Sequence, residues 1–166
     1  DYYMHAETIA IDRDLDYTNQ FLGVNKIRYK SGNTLAPKGF IGSGLFASPF
    51  LLFGNFLDQY DNGNFMNFSL LSYSLSAIFY FVISIKLTLS SLRLLKIKFK
   101  PLNILLLFFG SGLSYYAFER FSMTHVYEVF TACMVLNLSI KYYLDKENSK
   151  RYLAFLIPFW ICLGLM

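Results

Sequence analysis

Six side chains near the start of the chain have types suited to proton transfer: Asp1, His5, Glu7, Asp12, Asp14 and Asp16. A carboxylate at a membrane surface can deprotonate an acceptor hydroxyl or amine as a general base. Paired acids can also hold a divalent cation, although no cofactor is certain from the pattern. The alternative is a solvated acidic turn whose Asp and Asn residues cap helices. Asp12-Arg13-Asp14 and Asp14-Leu15-Asp16 each match Asp-x-Asp. Soluble transferases that use such triplets build them into an α/β domain, and no strand–helix–strand alternation occurs here.

Two further groups could carry chemistry. Lys38, with Lys30 and Arg28, could meet a phosphate. The same loop could instead rest on anionic lipid headgroups. Glu119, Arg120, His125 and Glu128 form a second polar cluster at the ends of two apolar runs. Ionisable residues bordering a membrane span are costly and point to function, here as lining of a cavity. The structural alternative is an Arg–Glu pair at headgroup level, with Thr124 capping a helix. No phosphate-binding glycine loop, catalytic triad or metal-ligand spacing is present.

The elements that must position these groups read as membrane helices. Of 166 residues, 55% are hydrophobic, and the 18 Phe and 13 Tyr exceed a soluble balance. Charges fall in short blocks between long apolar runs. A net charge of +4 argues against a nucleic-acid partner. Cys133 and Cys162 both lie in apolar runs, where a small buried hydrophobe is expected.

Residues 1–64 are expected to form a first loop with interfacial helices over about 1–13 and 39–57. In the first, Asp1, His5, Thr8 and Asp12 share a narrow polar face at helical spacing. Tyr2, Ala6 and Ile9 share another. Gly32-Asn33 signals a turn, with a short hairpin around it. The 19 uncharged residues 39–57 are just enough to span, but Gly39, Gly42, Gly44 and Pro49 make a poor straight helix. The segment crosses or lies half-immersed, and 58–64 is a polar turn.

Residues 65–166 are predicted as transmembrane helices over about 65–92, 102–118, 123–143 and 152–166. Arg93, Lys96, Lys98 and Lys100 would make the loop after the first span cytoplasmic. Gly110, Ser111, Gly112 and Ser114 would permit close helix packing. The fold class is therefore all-α: a multi-pass helical membrane protein with an extracytoplasmic loop bearing interfacial amphipathic helices. The chain opens without Met in a polar motif and ends in an apolar run, so it is expected to be a piece of a longer protein.

The run DYYMHAETIAIDRDLDYTNQF, followed by APKGFIGSGLFASPFLLFG, resembles the first extracytoplasmic loop of bacterial GT-C membrane glycosyltransferases. These include dolichyl-phosphate-mannose–protein mannosyltransferase-like proteins and aminoarabinose-transferase relatives. The stretch YYAFERFSMTHVYEVF is similar to their second outer loop. The resemblance covers the early part of such an enzyme. It implies transfer of a sugar from a polyprenyl-phosphate-linked donor to a lipid, protein or glycan acceptor. Transfer would occur at the outer face of the plasma (inner) membrane, with a first-loop Asp as base. Matching the acidic turn puts that base at Asp1 or two or three residues before it. His5, Asp12, Asp14 and Asp16 would shape or charge the acceptor side. Lys38 would meet the carrier phosphate, and residues 39–57 would lie on the surface. The isolated piece is expected to be inactive. The rival readings are a transporter or flippase working through His125 and Glu128, and a non-catalytic assembly subunit.

Overall fold

The computed structural model describes residues 2–21, 30–31, 34–35, 37, 39–61 and 66–166. Asp1 and Lys38 lie outside these. The described fold is built of helices, with one two-stranded antiparallel ladder. The elements are α1 (Tyr2–Glu7), a π-helical turn (Thr8–Asp12), β1 (Lys30–Ser31), β2 (Thr34–Leu35) and α2 (Gly42–Asp61). Then come α3 (Phe68–Leu94), α4 (Pro101–Gly110), α5 (Gly112–Phe118), α6 (His125–Leu144) and α7 (Ser149–Gly164). β1 and β2 pair in the register Lys30↔Leu35 and Ser31↔Thr34. The chain divides into two compact units, 1–76 and 77–166, the division falling within α3.

In the first unit α1 packs on α2. The expected helix over 1–13 is shorter: regular α-helix stops at Glu7, and a wider π turn carries the chain to Asp12. Arg13 ends that turn in the left-handed region at φ 62°, its N–H bonded to the Thr8 carbonyl. The predicted polar face is also corrected. His5 and Thr8 are buried rather than solvated, because that face meets α2 and the acidic turn. Gly44 makes this approach possible. A Cβ there would lie 2.8 Å from the His5 carbonyl carbon and 2.9 Å from the Ala6 nitrogen. Gly39, at φ +113°, turns the chain beside the Tyr2 ring in a conformation that other residues rarely adopt.

α2 runs through Pro49 without breaking. Proline supplies no N–H to the carbonyl four residues back. That carbonyl, Leu45, instead accepts a hydrogen bond of 2.8 Å from the Ser48 hydroxyl. The helix begins three residues later than expected and continues through Asp61, so residues 58–61 are not the predicted turn. Asp58 then has a defined task. Its carboxylate accepts the Phe68 and Ser69 N–H groups at 2.7 and 2.9 Å, satisfying the first turn of α3. Asn67 accepts the Leu70 N–H at 2.7 Å. The lowered Asp58 pKa follows from the Ser69 hydroxyl hydrogen bond first, with the two backbone N–H groups adding to it.

Among the described residues, α3 is long and apolar enough to cross a membrane. α4 and α5 meet that test only together, and they are bent by 69° at the break between them. The single straight helix expected over 102–118 is therefore two. Ser111 is extended at the break; its hydroxyl accepts the Leu113 N–H and donates to the Phe108 carbonyl. The expected close packing at Gly110 and Gly112 is absent among the described residues, since a Cβ at either would meet nothing within 4 Å there. These glycines release the helix instead of admitting a neighbour. The second unit's core gathers Phe81, Ile85, Phe108, Ala117 and Val126. Asn137 of α6 donates to Ser91 Oγ of α3 at 3.0 Å, a polar tie between apolar helices. Cys133 and Cys162 are free thiols.

Candidate functional site

The first unit places its polar side chains where α1, the π turn and the following acidic turn meet. His5 is only 5% exposed. Its Nδ1 lies 2.8 Å from the Tyr17 hydroxyl, and the two rings meet edge to face at 5.3 Å. Burial lowers the His5 pKa and holds the ring neutral. The Gly39 carbonyl partly offsets this, although it does not meet Nε2 at hydrogen-bond geometry. Burial also raises the Tyr17 pKa, so the hydroxyl keeps its proton.

Glu7 is half-buried, and its pKa is raised by burial first and by the charge of Asp12 second. That direction suits an acid–base residue working near neutrality. Tyr3 stacks edge to face on Tyr73 at 5.0 Å. Its pKa is raised by burial, then by Glu7 and Asp58.

The three turn aspartates are engaged locally. Asp12 Oδ2 accepts from Asn19 Nδ2 at 2.8 Å and from Gln20 Nε2. Asp14 Oδ1 accepts from the Thr8 hydroxyl and the Asp16 N–H, both at 3.1 Å. Asp16 Oδ1 accepts from the Thr18 N–H at 3.0 Å and its hydroxyl at 2.6 Å. The Thr18 hydroxyl bond, then its backbone bond, lowers the Asp16 pKa. These are turn-closing bonds. Among the described residues, no group of three or more His, Cys, Asp or Glu side chains is placed to hold a metal ion.

Beside this turn runs a groove of about 350 Å³ between the π turn and α2. Ile11, Leu52 and Phe56 form apolar walls, and Arg13, Asn55 and Gln59 supply polar groups. One face of α2 packs inward through Gly42, Gly44, Ala47, Leu51 and Gly54. The other presents Leu45, Leu52, Phe53 and Phe56 outward. An amphiphile could lay an apolar chain on such a surface and keep a polar head at its edge.

The second cluster lies in the other unit. Thr124 donates its hydroxyl to Glu128 Oε1 at 2.5 Å, so its side chain does not cap the helix as expected. His125 Nδ1 is 3.3 Å from Glu128 Oε2, and its ring packs on Tyr116 at 4.3 Å. The expected Arg–Glu pair does not form among the described residues: Arg120 Nε instead donates to the Tyr115 hydroxyl at 3.2 Å. Glu119 follows the last residue of α5, and its N–H bonds the Tyr115 carbonyl. Glu128 occupies the first turn of α6, where a negative charge complements the helix dipole.

His5, Asp12, Asp14 and Asp16 are thus brought together in one unit, and Glu119, Arg120, His125 and Glu128 in the other. Tyr17 was missed as the partner of His5. It lies twelve positions away across an irregular turn, beyond the reach of helical periodicity. Arg13, Asn55 and Gln59 were missed because only the fold places them on one groove. Comparison with protein-family models, curated proteins and solved structures finds no match.

Proposed function

We propose that this chain belongs to a multi-pass membrane glycosyltransferase that takes its sugar from a polyprenyl-phosphate-linked donor. The acceptor is a lipid, protein or glycan, and transfer takes place at the outer face of the plasma (inner) membrane. The observation that carries this reading is the amphipathic groove between the π turn and α2, set beside a cluster of carboxylates. A lipid-linked sugar has the matching division into apolar chain and polar head. The likeness of residues 1–21 and 36–54 to the GT-C first loop supports the same reading. α2, Pro-containing and apolar on its outward face, suits a helix lying in the membrane surface. α3, long and apolar enough to cross, and the α4–α5 pair, which meets that test only together, support the membrane part of this reading.

In this mechanism Asp1 is the base, deprotonating the acceptor as it attacks the sugar carbon and the carrier phosphate departs. Lys38 meets that phosphate. Glu7 is the second protonatable carboxylate of the loop. Asp12, Asp14 and Asp16 hold the turn in shape, and their bonds to Thr8, Thr18, Asn19 and Gln20 favour that role over proton transfer. The test is transfer of labelled sugar from a polyprenyl-phosphate donor by the full gene product encoding this chain. Asp1→Asn is expected to cut transfer by about 100-fold or more, the usual scale for a general base. Undiminished transfer by that variant, or no use of the donor at all, would overturn the proposal.

A second reading is a non-catalytic assembly subunit. It is favoured by the local hydrogen bonds that each of the three turn aspartates accepts. Full cellular function after combined Asp1→Asn, Asp12→Asn and Asp14→Asn replacement would select it.

A further inference from the structure

α3 ends in a hydrogen-bonded C-terminal motif. Lys96 N–H bonds the Arg93 carbonyl, and Ile97 N–H bonds the Leu92 carbonyl, both at 3.0 Å. Lys96 itself sits at φ 57°, a position where glycine is usual. The chain then runs extended to Lys100, and Pro101 opens α4. This path gathers Arg93, Lys96, Lys98 and Lys100 within eight residues, and the sequence holds no acid from 93 to 118. Among the described residues, none of these four cations has a carboxylate partner. Lys98, Phe99, Lys100 and Asn103 line a cradle of about 440 Å³. The neighbouring residues in the chain are apolar and exposed: Leu95 and Ile97 before it, Leu102, Leu105 and Leu106 in α4.

We propose that this cradle binds the headgroup of an anionic phospholipid. The two lysines pair with the phosphate, the Asn103 amide hydrogen-bonds the headgroup, and the acyl chains cover the exposed leucines of α4. A water-soluble anion would satisfy the lysines and leave those leucines uncovered, whereas a lipid satisfies both. The cradle also follows directly on the helix that is long and apolar enough to span, so it sits at headgroup depth if α3 crosses. The other basic loop differs. Lys141, Lys146, Lys150 and Arg151 are interspersed with Asp145 and Glu147, and Lys146 lies over the Tyr143 ring. The proposal depends on α3 crossing the membrane and is independent of sugar transfer.

The test uses the purified chain in detergent, offered equal phosphatidylglycerol and phosphatidylcholine, with bound lipids counted by native mass spectrometry. The unaltered chain is expected to retain phosphatidylglycerol preferentially. K98Q/K100Q is expected to weaken that retention by roughly 25-fold, about fivefold per lysine near an anionic surface. K146Q/K150Q is expected to leave it unchanged. Equal retention of both lipids, or equal loss in both double variants, would overturn the proposal. Displacement by inorganic phosphate at an ionic strength where sodium chloride has no effect would also overturn it, identifying a free-anion site. Should K98Q/K100Q fail to fold, a salt titration of the unaltered chain decides. A preference that fades with sodium chloride supports the cradle, and one that survives 1 M salt, where the screening length is about 3 Å, overturns it.

Discussion

Both units carry a histidine in a polar pair, His5 with Tyr17 and His125 with Glu128, yet the two pairs are built differently. His5 is buried against α2, bound to Tyr17 and held neutral by its surroundings. His125 is 48% exposed in its side chain and touches Glu128 at the start of a helix, with Glu128 38% exposed. Residue type is the same, but the environments give different physics. In the first unit a close helix approach through Gly44 removes water from a polar face. In the second, a threonine, a histidine and a glutamate dress a helix terminus that water can reach. The first pair is part of how its unit holds together, and the second can be altered without unfolding anything.

The sharpest way to break this contrast is to push α1 off α2. Gly44→Ala is expected to destabilise the first unit by about 1–3 kcal/mol, because the new methyl group meets backbone atoms of His5 and Ala6. Gly112→Ala, in open space, is expected to change stability by less than about 0.5 kcal/mol. Thermal unfolding in detergent compares them, and equal effects would mean that the helices do not pack as described.

The next effect is pH dependence. The His5 pKa is lowered in the fold, so the unfolded chain takes up a proton first as the solution is acidified. Stability from neutral His5 is full above about pH 6.5 and falls as pH drops towards the lower folded value, by at most about 1.4 kcal/mol per pH unit. His5→Gln is expected to flatten that slope. Midpoints of chemical unfolding between pH 5 and 8 provide the measurement.

Smaller again is Tyr17→Phe, which removes one buried hydrogen bond and leaves His5 Nδ1 without its partner. A loss of about 1–2 kcal/mol is expected by the same unfolding assay. The smallest effect is Glu128→Gln, expected within about 0.5 kcal/mol, as for other solvent-exposed pairs.

The helical class, the long apolar helix at α3 and the proline start of α4 were legible in the sequence because each depends on local composition. The antiparallel ladder of β1 and β2 lies where the Gly32-Asn33 turn signal suggested a short hairpin, the turn itself lying outside the described residues. Pairings made across space were not legible. His5, Thr8 and Asp12 share a polar face at helical spacing, and only the glycine approach from α2 shows that His5 and Thr8 are buried. Asp58 reads as part of a polar turn, and only the return of the chain makes it a cap for α3. Gly110 and Gly112 carry the same composition signal for packing or for breaking. What decides between these is whether another helix arrives, and among the described residues none does within 4 Å. At the acidic turn the residue types were legible, but their engagement with Thr8, Thr18, Asn19 and Gln20 was not, because an irregular turn has no period.

The proposed function requires α2 to lie on the membrane and leave the acidic turn on the outer side. A cysteine at Asn33, in a chain with Cys133→Ser and Cys162→Ser, tests it with a membrane-impermeant thiol reagent on intact cells. The account predicts labelling from outside before lysis. Labelling only after the cells are opened would place the turn in the cytoplasm, and the glycosyltransferase geometry would fall.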